Sequence, residues 1–422
     1  MSILTDPPKE SFRPSMLIYD TRYRSMTIQV IALIGFLILV GWLISNTAQN
    51  LAELGKEPSF GFLSEPAGYD INQRLLDYDN QNSHFRAALI GLLNTLLVAF
   101  LGCITATILG VIIGVLRLSS NWLIARLMTI YVEMFRNVPV LLWIVFIMAI
   151  LIESLPAPRD FRGDTPEATM NVFDSVAVTN RGVYVPEPLF HNSLGNIHLF
   201  GDAAVRFDIS LDLVAFLIVL GGSLFASTKI RIWADKTQEA TGLRPTTWHM
   251  RSAVVILPSL LLLVLLGFHL GYPALKGFNF QGGIHMRNSL IALWLALSLY
   301  TAAFIAEIVR AGILAISKGQ TEAASALGLR PKRIMNLVVL PQALRVIIPP
   351  LISNYLNLTK NSSLAIAVGY MDLTGTLMGI TMNQTGRELE TVMLGMLVYL
   401  TISLVISGFM NWYNNRVKLV ER

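Results

Sequence analysis

Residues 359 to 364 read TKNSSL and place one cation and four hydrogen-bonding side chains inside an otherwise apolar run. Lys360, Asn361, Ser362 and Ser363 are the types that donate to a carboxylate, so they are candidates for lining a solute path; the structural alternative is a lysine that reaches the headgroups and polar groups that satisfy backbone at a helix break. Asn94 and Thr95 are the nearest polar counterpart in another apolar run. Two acid–base pairs at spacing three, Glu133 with Arg136 and Glu307 with Arg310, lie at the ends of apolar runs and fit neighbouring positions on a helix. Enzyme chemistry finds no support. The six histidines, His84, His191, His198, His249, His269 and His285, show no metal-ligand spacing such as H-E-x-x-H. The lone Cys103 offers neither a disulfide nor a thiolate metal site. No G-x-x-x-x-G-K-[ST] loop is present to cradle a nucleotide, so no metal site and no cofactor is expected.

The elements that must hold these residues follow from composition. Of 422 residues 54% are hydrophobic and 14% charged, against roughly 25% charged in soluble domains. About 20 helical residues cross a bilayer core of about 30 Å. Runs long enough lie at 27–46, 88–116, 128–152, 211–228, 252–271, 288–309, 346–370 and 391–411. They are continuously apolar and lack the alternation of a membrane β-barrel. The expected fold is an all-α polytopic membrane protein of about eight transmembrane helices. The first run follows 26 more polar residues and lacks a convincing cleavage site, so it reads as a retained anchor.

Basic residues orient the bundle. With the N-terminus inside, segments 1–26, 117–127, 229–251, 311–345 and 412–422 hold 19 Lys/Arg in 106 positions, while 47–86, 156–210, 272–287 and 371–389 hold 10 in 130. Both termini of this multi-pass membrane protein are therefore expected in the cytoplasm. The net charge of +5 is distributed by topology rather than gathered into a patch, so no nucleic-acid partner is expected. The longest polar insert, 153–210, is rich in Pro, Gly, Asn and Asp and reads as a loop-rich excursion outside the membrane; 229–251 reads as a short basic hairpin inside.

Between two late spans stands GQTEAASALGLRPKRIMNLVVLP. Gln320 to Leu327 fits two turns of helix, Gly328 suits a left-handed C′ position and Pro331 the first turn of a second helix, while Pro341 and the pair Pro349, Pro350 interrupt the next apolar run. Small Ala323 and Ala324 allow another surface to approach closely. The pattern Glu322-Ala323-Ala324, three residues, Gly328, nine residues, Val338, one residue, Leu340-Pro341 resembles the EAA signature of ABC-importer permeases, with Val where Ile is usual. GLLNTL, YVEMFRNVP, AEIVRAGI, LPQALRVIIPPL and LTKNSSLA occur in the order shown by the polar amino-acid uptake branch, and the extra length resembles the long general L-amino-acid permease subunits.

This resemblance implies a type I importer permease core, divided as 1–26 cytoplasmic N-terminus, 27–46 extra span, 87–155 first part of the core, 156–283 insertion with a periplasmic loop and two extra spans, 284–415 second part with the coupling loop, and 416–422 tail. It also implies the partners: a second permease or a second copy, a cytoplasmic ATP-binding-cassette ATPase dimer, a periplasmic amino-acid-binding protein and membrane lipid. Glu322, Ala323, Ala324, Gly328, Leu340 and Pro341 would form the ATPase contact. The function implied is ATP-driven uptake of L-amino acids. A secondary amino-acid or small-solute transporter would share the bundle but would not need the hairpin.

Overall fold

The computed structural model describes residues 16–53, 55, 58–163, 165–199 and 206–417. The tail beyond 417 and the first 15 residues lie outside the described residues. The chain divides into two units, Met1–Phe60 and Gly61–Arg422. The first contains one long apolar helix, Thr21–Glu53, which extends the expected 27–46 span at both ends.

Eight helices among the described residues are long and apolar enough to cross a membrane. In the second unit the central pair is His84–Leu116 against Asn288–Leu314. Lipid supplies no hydrophobic drive between helices, so close van der Waals contact must hold them, and that requires small residues. Gly102, Ala106, Gly110 and Gly114 recur every fourth position on one face. A Cβ on Gly110 would lie 2.6 Å from the Cβ of Ile305, and one on Gly114 would lie 2.7 Å from the carbonyl oxygen of Ala306. Interhelical hydrogen bonds reinforce the contact, Thr105 Oγ1 with Ser298 Oγ at 2.5 Å and Trp294 Nε1 to Thr105 at 3.1 Å, and Thr107 bonds the Tyr355 hydroxyl of the Leu340–Asn361 helix at 2.6 Å.

The expected 128–152 span is corrected. An amphipathic helix, Trp122–Asn137, is capped by the Asn121 side chain, and a separate apolar helix, Val140–Ser154, starts after Pro139. Val138 adopts an extended backbone, as a residue before proline prefers, and this divides two apolar stretches that composition had merged. In contrast, Pro349 and Pro350 do not interrupt their run, because the helix Leu340–Asn361 passes through both. Its last stretch tightens into 3₁₀ geometry at Ser362–Val368.

The insertion is more ordered than the expected loop. Among the described residues, the insertion and the residues that follow it form nine short strands: β1 Ala177–Thr179, β2 Gly182–Val185, β3 Glu187–Phe190, β4 Asn196–Leu199, β5 Phe207–Ser210, β6 Phe268–Gly271, β7 Ala274–Lys276, β8 Asn279–Gln281 and β9 Ile284–Arg287. β2 pairs antiparallel with both β1 and β9, and β3 pairs with β6. The segments flanking the helices Leu211–Thr241 and Trp248–Leu265 therefore close on each other at one end of the bundle. The apolar run expected to span 252–271 ends as helix at Leu265 and continues into β6.

Candidate functional site

The hairpin at the opposite end from the strands is built as its sequence requires. Helix Lys318–Ala326 ends in a Schellman turn: the Gly328 N–H bonds to the Ser325 carbonyl at 2.9 Å and the Leu329 N–H to the Ala324 carbonyl at 3.3 Å, with Gly328 at φ +75°. Leu329 packs beside Ala324, Ile334 and Val339, which join Ile313 and Ile316 in a small apolar core. Pro331 opens the next short helix, Pro331–Ile334. The following turn, Met335–Val339, widens to π geometry, with the Leu340 N–H bonding to the Met335 carbonyl. Pro341 has no N–H to continue the ordinary ladder, which accounts for a wide turn where hairpin becomes span.

The structure separates the two alanines of the signature. Ala324 is buried in the hairpin's own core, while Glu322, Ala323 and Gly328 are exposed. Leu327, one turn beyond Ala323 on the same face, is 82% exposed. A Cβ on Gly328 would meet nothing within 4 Å, so within this chain the glycine serves its positive φ rather than a tight contact. Leu340 is exposed and Pro341 is partly so.

Of the two expected charge pairs, one forms. Arg310 Nη1 lies 3.2 Å from Glu307 Oε1. Arg136 turns away from Glu133 and lies 3.9 Å from Glu307 instead, its guanidinium also over the Phe304 ring. Glu133 is exposed and accepts from Asn137. The break at Val138–Pro139 explains the exchange, since it lays the Trp122–Asn137 helix against Asn288–Leu314. Sequence reading missed the strongest partner, Arg117, which hydrogen-bonds to Glu307 Oε2 with its side chain only 7% exposed. Glu307 thus serves three arginines from three helices or helix ends, close to the hairpin.

Two of the polar path candidates, Asn94 and Thr95, bond to the backbone on either side of a residue that sequence reading did not single out, Asp372. It is fully buried; its carboxylate accepts from the Gly375 N–H at 2.8 Å and the Tyr399 hydroxyl at 3.1 Å. Burial pushes the carboxyl up to about 6, against the pull of those hydrogen bonds. Asn94 and Thr95 hold the same connection from the other side. Asn94 Nδ2 donates to the carbonyls of Met371 and Gln73, and Thr95 Oγ1 accepts from the Leu373 N–H. Both are completely buried within this chain, where their side chains fasten backbone. Ser362 is also buried, with its hydroxyl on the Thr359 carbonyl, and Ser363 bonds likewise to Lys360. Lys360 is exposed and Asn361 half-buried. The available signal for Asp372 was an acid between apolar residues, YMDLTG, next to a span.

Residues 249–419 match the family described as binding-protein-dependent transport system inner membrane component. The chain is 58% identical to the glutamate/glutamine/aspartate/asparagine transport system permease protein BztB of Rhodobacter capsulatus, over 100% of both chains. It is 45% identical to the general L-amino acid transport system permease protein AapQ of Rhizobium johnstonii, over 98% of this chain and 96% of that one. The probable glutamine ABC transporter permease protein GlnM of Bacillus subtilis aligns at 32% identity over 89% of its own length but only 49% of this chain. The chain belongs to the family of binding-protein-dependent transport system inner-membrane components, multi-pass permease subunits that act within a larger transporter complex whose ATPase is a separate subunit.

Proposed function

We propose that this chain carries L-amino acids inward as a permease subunit of an ATP-driven importer, with polar and acidic amino acids within its range. The observation that carries the reading is the hairpin 318–334. It presents an exposed Glu322, Ala323 and Leu327 on a short helix whose other side is braced by Ala324, Ile334 and Val339. Such an element can transmit a push without deforming, which suits contact with a cytoplasmic ATPase dimer. The full-length relatives are amino-acid permeases by name, and the cargo is inferred from them.

Orientation follows from the same arrangement. On this reading both ends of the chain lie in the cytoplasm, which is supported by an even number of candidate spans among the described residues and by the richer supply of Lys/Arg in the segments on that side. The strand-bearing end would then meet a periplasmic binding protein, and a second permease subunit would complete the path. Lys360 and Asn361 remain candidates for that path, with Ser362 and Ser363 supporting the helix end behind them. Co-purification with the ATPase, followed by ATP hydrolysis in liposomes, tests the reading: liganded binding protein should stimulate hydrolysis, and a rate indifferent to it would count against an importer.

A further inference from the structure

Where the insertion meets the bundle, the sheet β1-β2-β9 sets two arginines side by side. Gly182 pairs in register with Arg287, which places Arg181, in the β1–β2 turn, next to the end of β9. The turn is fastened to the bundle by Asn288, the first residue of the Asn288–Leu314 helix, whose Nδ2 donates to the Asn180 carbonyl at 2.7 Å. Gly182 adopts φ +147°, and a Cβ there would lie 2.4 Å from the Met286 carbonyl oxygen and 2.6 Å from His285 Nε2. The His285 ring stacks on Tyr184 with centroids 4.1 Å apart and planes within 5°. Burial lowers the affinity of this imidazole for a proton, so it adds little charge at neutral pH.

This framework walls a cleft of about 400 Å³, large enough for one small molecule. Arg181, Arg287, Asn180 and His285 line it from the insertion, while Ile152 and Gly369 are among the span residues opposite. No carboxylate belongs to the lining, and neither arginine has an acidic partner within 4.0 Å among the described residues. Among the described residues the Arg181 guanidinium hydrogen-bonds only to the Phe278 carbonyl, while its backbone N–H donates to Thr179 Oγ1. Among the described residues, three polar atoms in the wall are buried with no partner: Arg287 Nε, Asn288 Oδ1 and Asn180 Oδ1, and Asn288 as a whole is 3% exposed. Unpaired buried donors and acceptors are costly, and here the one unpaired donor is cationic while the two acceptors are amide oxygens. That combination complements a zwitterion, whose carboxylate suits guanidinium and whose ammonium suits amide oxygens.

We propose that this cleft binds a free amino acid, with Arg181 and Arg287 receiving its carboxylate and acidic amino acids preferred. The proposal rests on the reading of the chain as an amino-acid permease and adds a recognition site that the insertion itself completes. The test is equilibrium binding of radiolabelled L-glutamate to the full chain alone in lipid nanodiscs, beside ATP-driven uptake by the complete importer. Saturable binding is expected, weakened about tenfold to a hundredfold by Arg181→Gln or Arg287→Gln, less by Arg287→Lys, and competed poorly by L-lysine. Each variant is first shown to be monodisperse, and the Arg287→Lys variant separates loss of charge from loss of fold. Absence of saturable binding to the parent chain, or unchanged affinity in both Gln variants, overturns the site. Uptake by the parent importer without such binding leaves the importer standing and removes only the cleft; no uptake by the parent importer removes the importer reading instead.

Discussion

Replacing Glu307 with Gln removes the one carboxylate that Arg117, Arg136 and Arg310 share. Arg136 and Arg310 have side chains 38% exposed, and exposed pairs contribute only about 0–1 kcal/mol each, so their loss is minor. Arg117 is different: it is 7% exposed, and losing its partner leaves a buried charge uncompensated, at a cost of about 3–5 kcal/mol. At about 2 °C per kcal/mol, the low end of the range for larger chains, the melting temperature should fall by about 6–10 °C. The assay is fluorescence-detected size-exclusion of heated nanodisc samples. The double variant Arg117→Met/Glu307→Met, which replaces the buried arginine and its half-buried partner by apolar side chains of similar length, should recover most of the loss. A Glu307→Gln protein that melts within about 2 °C of the parent, or a double variant no better than the single one, would refute the assignment of the stabilisation to the Arg117–Glu307 pair.

Three further outcomes are expected. The Cβ that Gly328→Asp adds has no atom of this chain within 4 Å, so the change should cost only about 1–2 kcal/mol of left-handed backbone strain and the protein should insert normally; transport and ATPase co-purification should nevertheless fall at least tenfold, and normal values would show that the hairpin is not the contact. Asp372 holds its proton more tightly folded than unfolded, with a carboxyl near 6 against an ordinary 3.8, so its contribution to stability is fullest below about pH 4 and declines by about 3 kcal/mol as pH rises to about 6; Asp372→Asn should flatten that part of the melting-temperature profile, and an unchanged slope would assign it elsewhere. In a Cys103→Ala background, a cysteine at exposed Phe278 should react with an impermeant thiol reagent outside intact cells and one at exposed Leu243 should not, and labelling at Leu243 would reverse the orientation.

The spans and the hairpin were legible because their signals are local. Twenty apolar residues carry their own requirement for lipid, and Gly328, Pro331 and Pro341 each dictate backbone geometry where they stand. What was lost depended on distance along the chain. The spacing rule proposed Glu133 for Arg136, yet the actual partner, Glu307, lies on another helix, and nothing near Arg117 announces that it shares that acid. The strands escaped notice because they are three or four residues long, too short to establish alternation, and because β2 and β9 are about 100 positions apart. Asn94 and Thr95 were recognised as notable polar residues, but their role depends on Met371 and Leu373, which only the folded bundle brings to them. The break at Val138–Pro139 was present in the sequence as a proline and was outweighed by the apolar residues on both sides.

The most direct test of the account is accumulation of L-glutamate in proteoliposomes containing this chain, its partner permease, the ATPase and the binding protein, with ionophores abolishing every ion gradient. The account predicts concentrative uptake that requires ATP and binding protein and disappears with Glu322→Lys. Uptake that persists without ATP and follows an imposed proton or sodium gradient would contradict it and identify a secondary transporter.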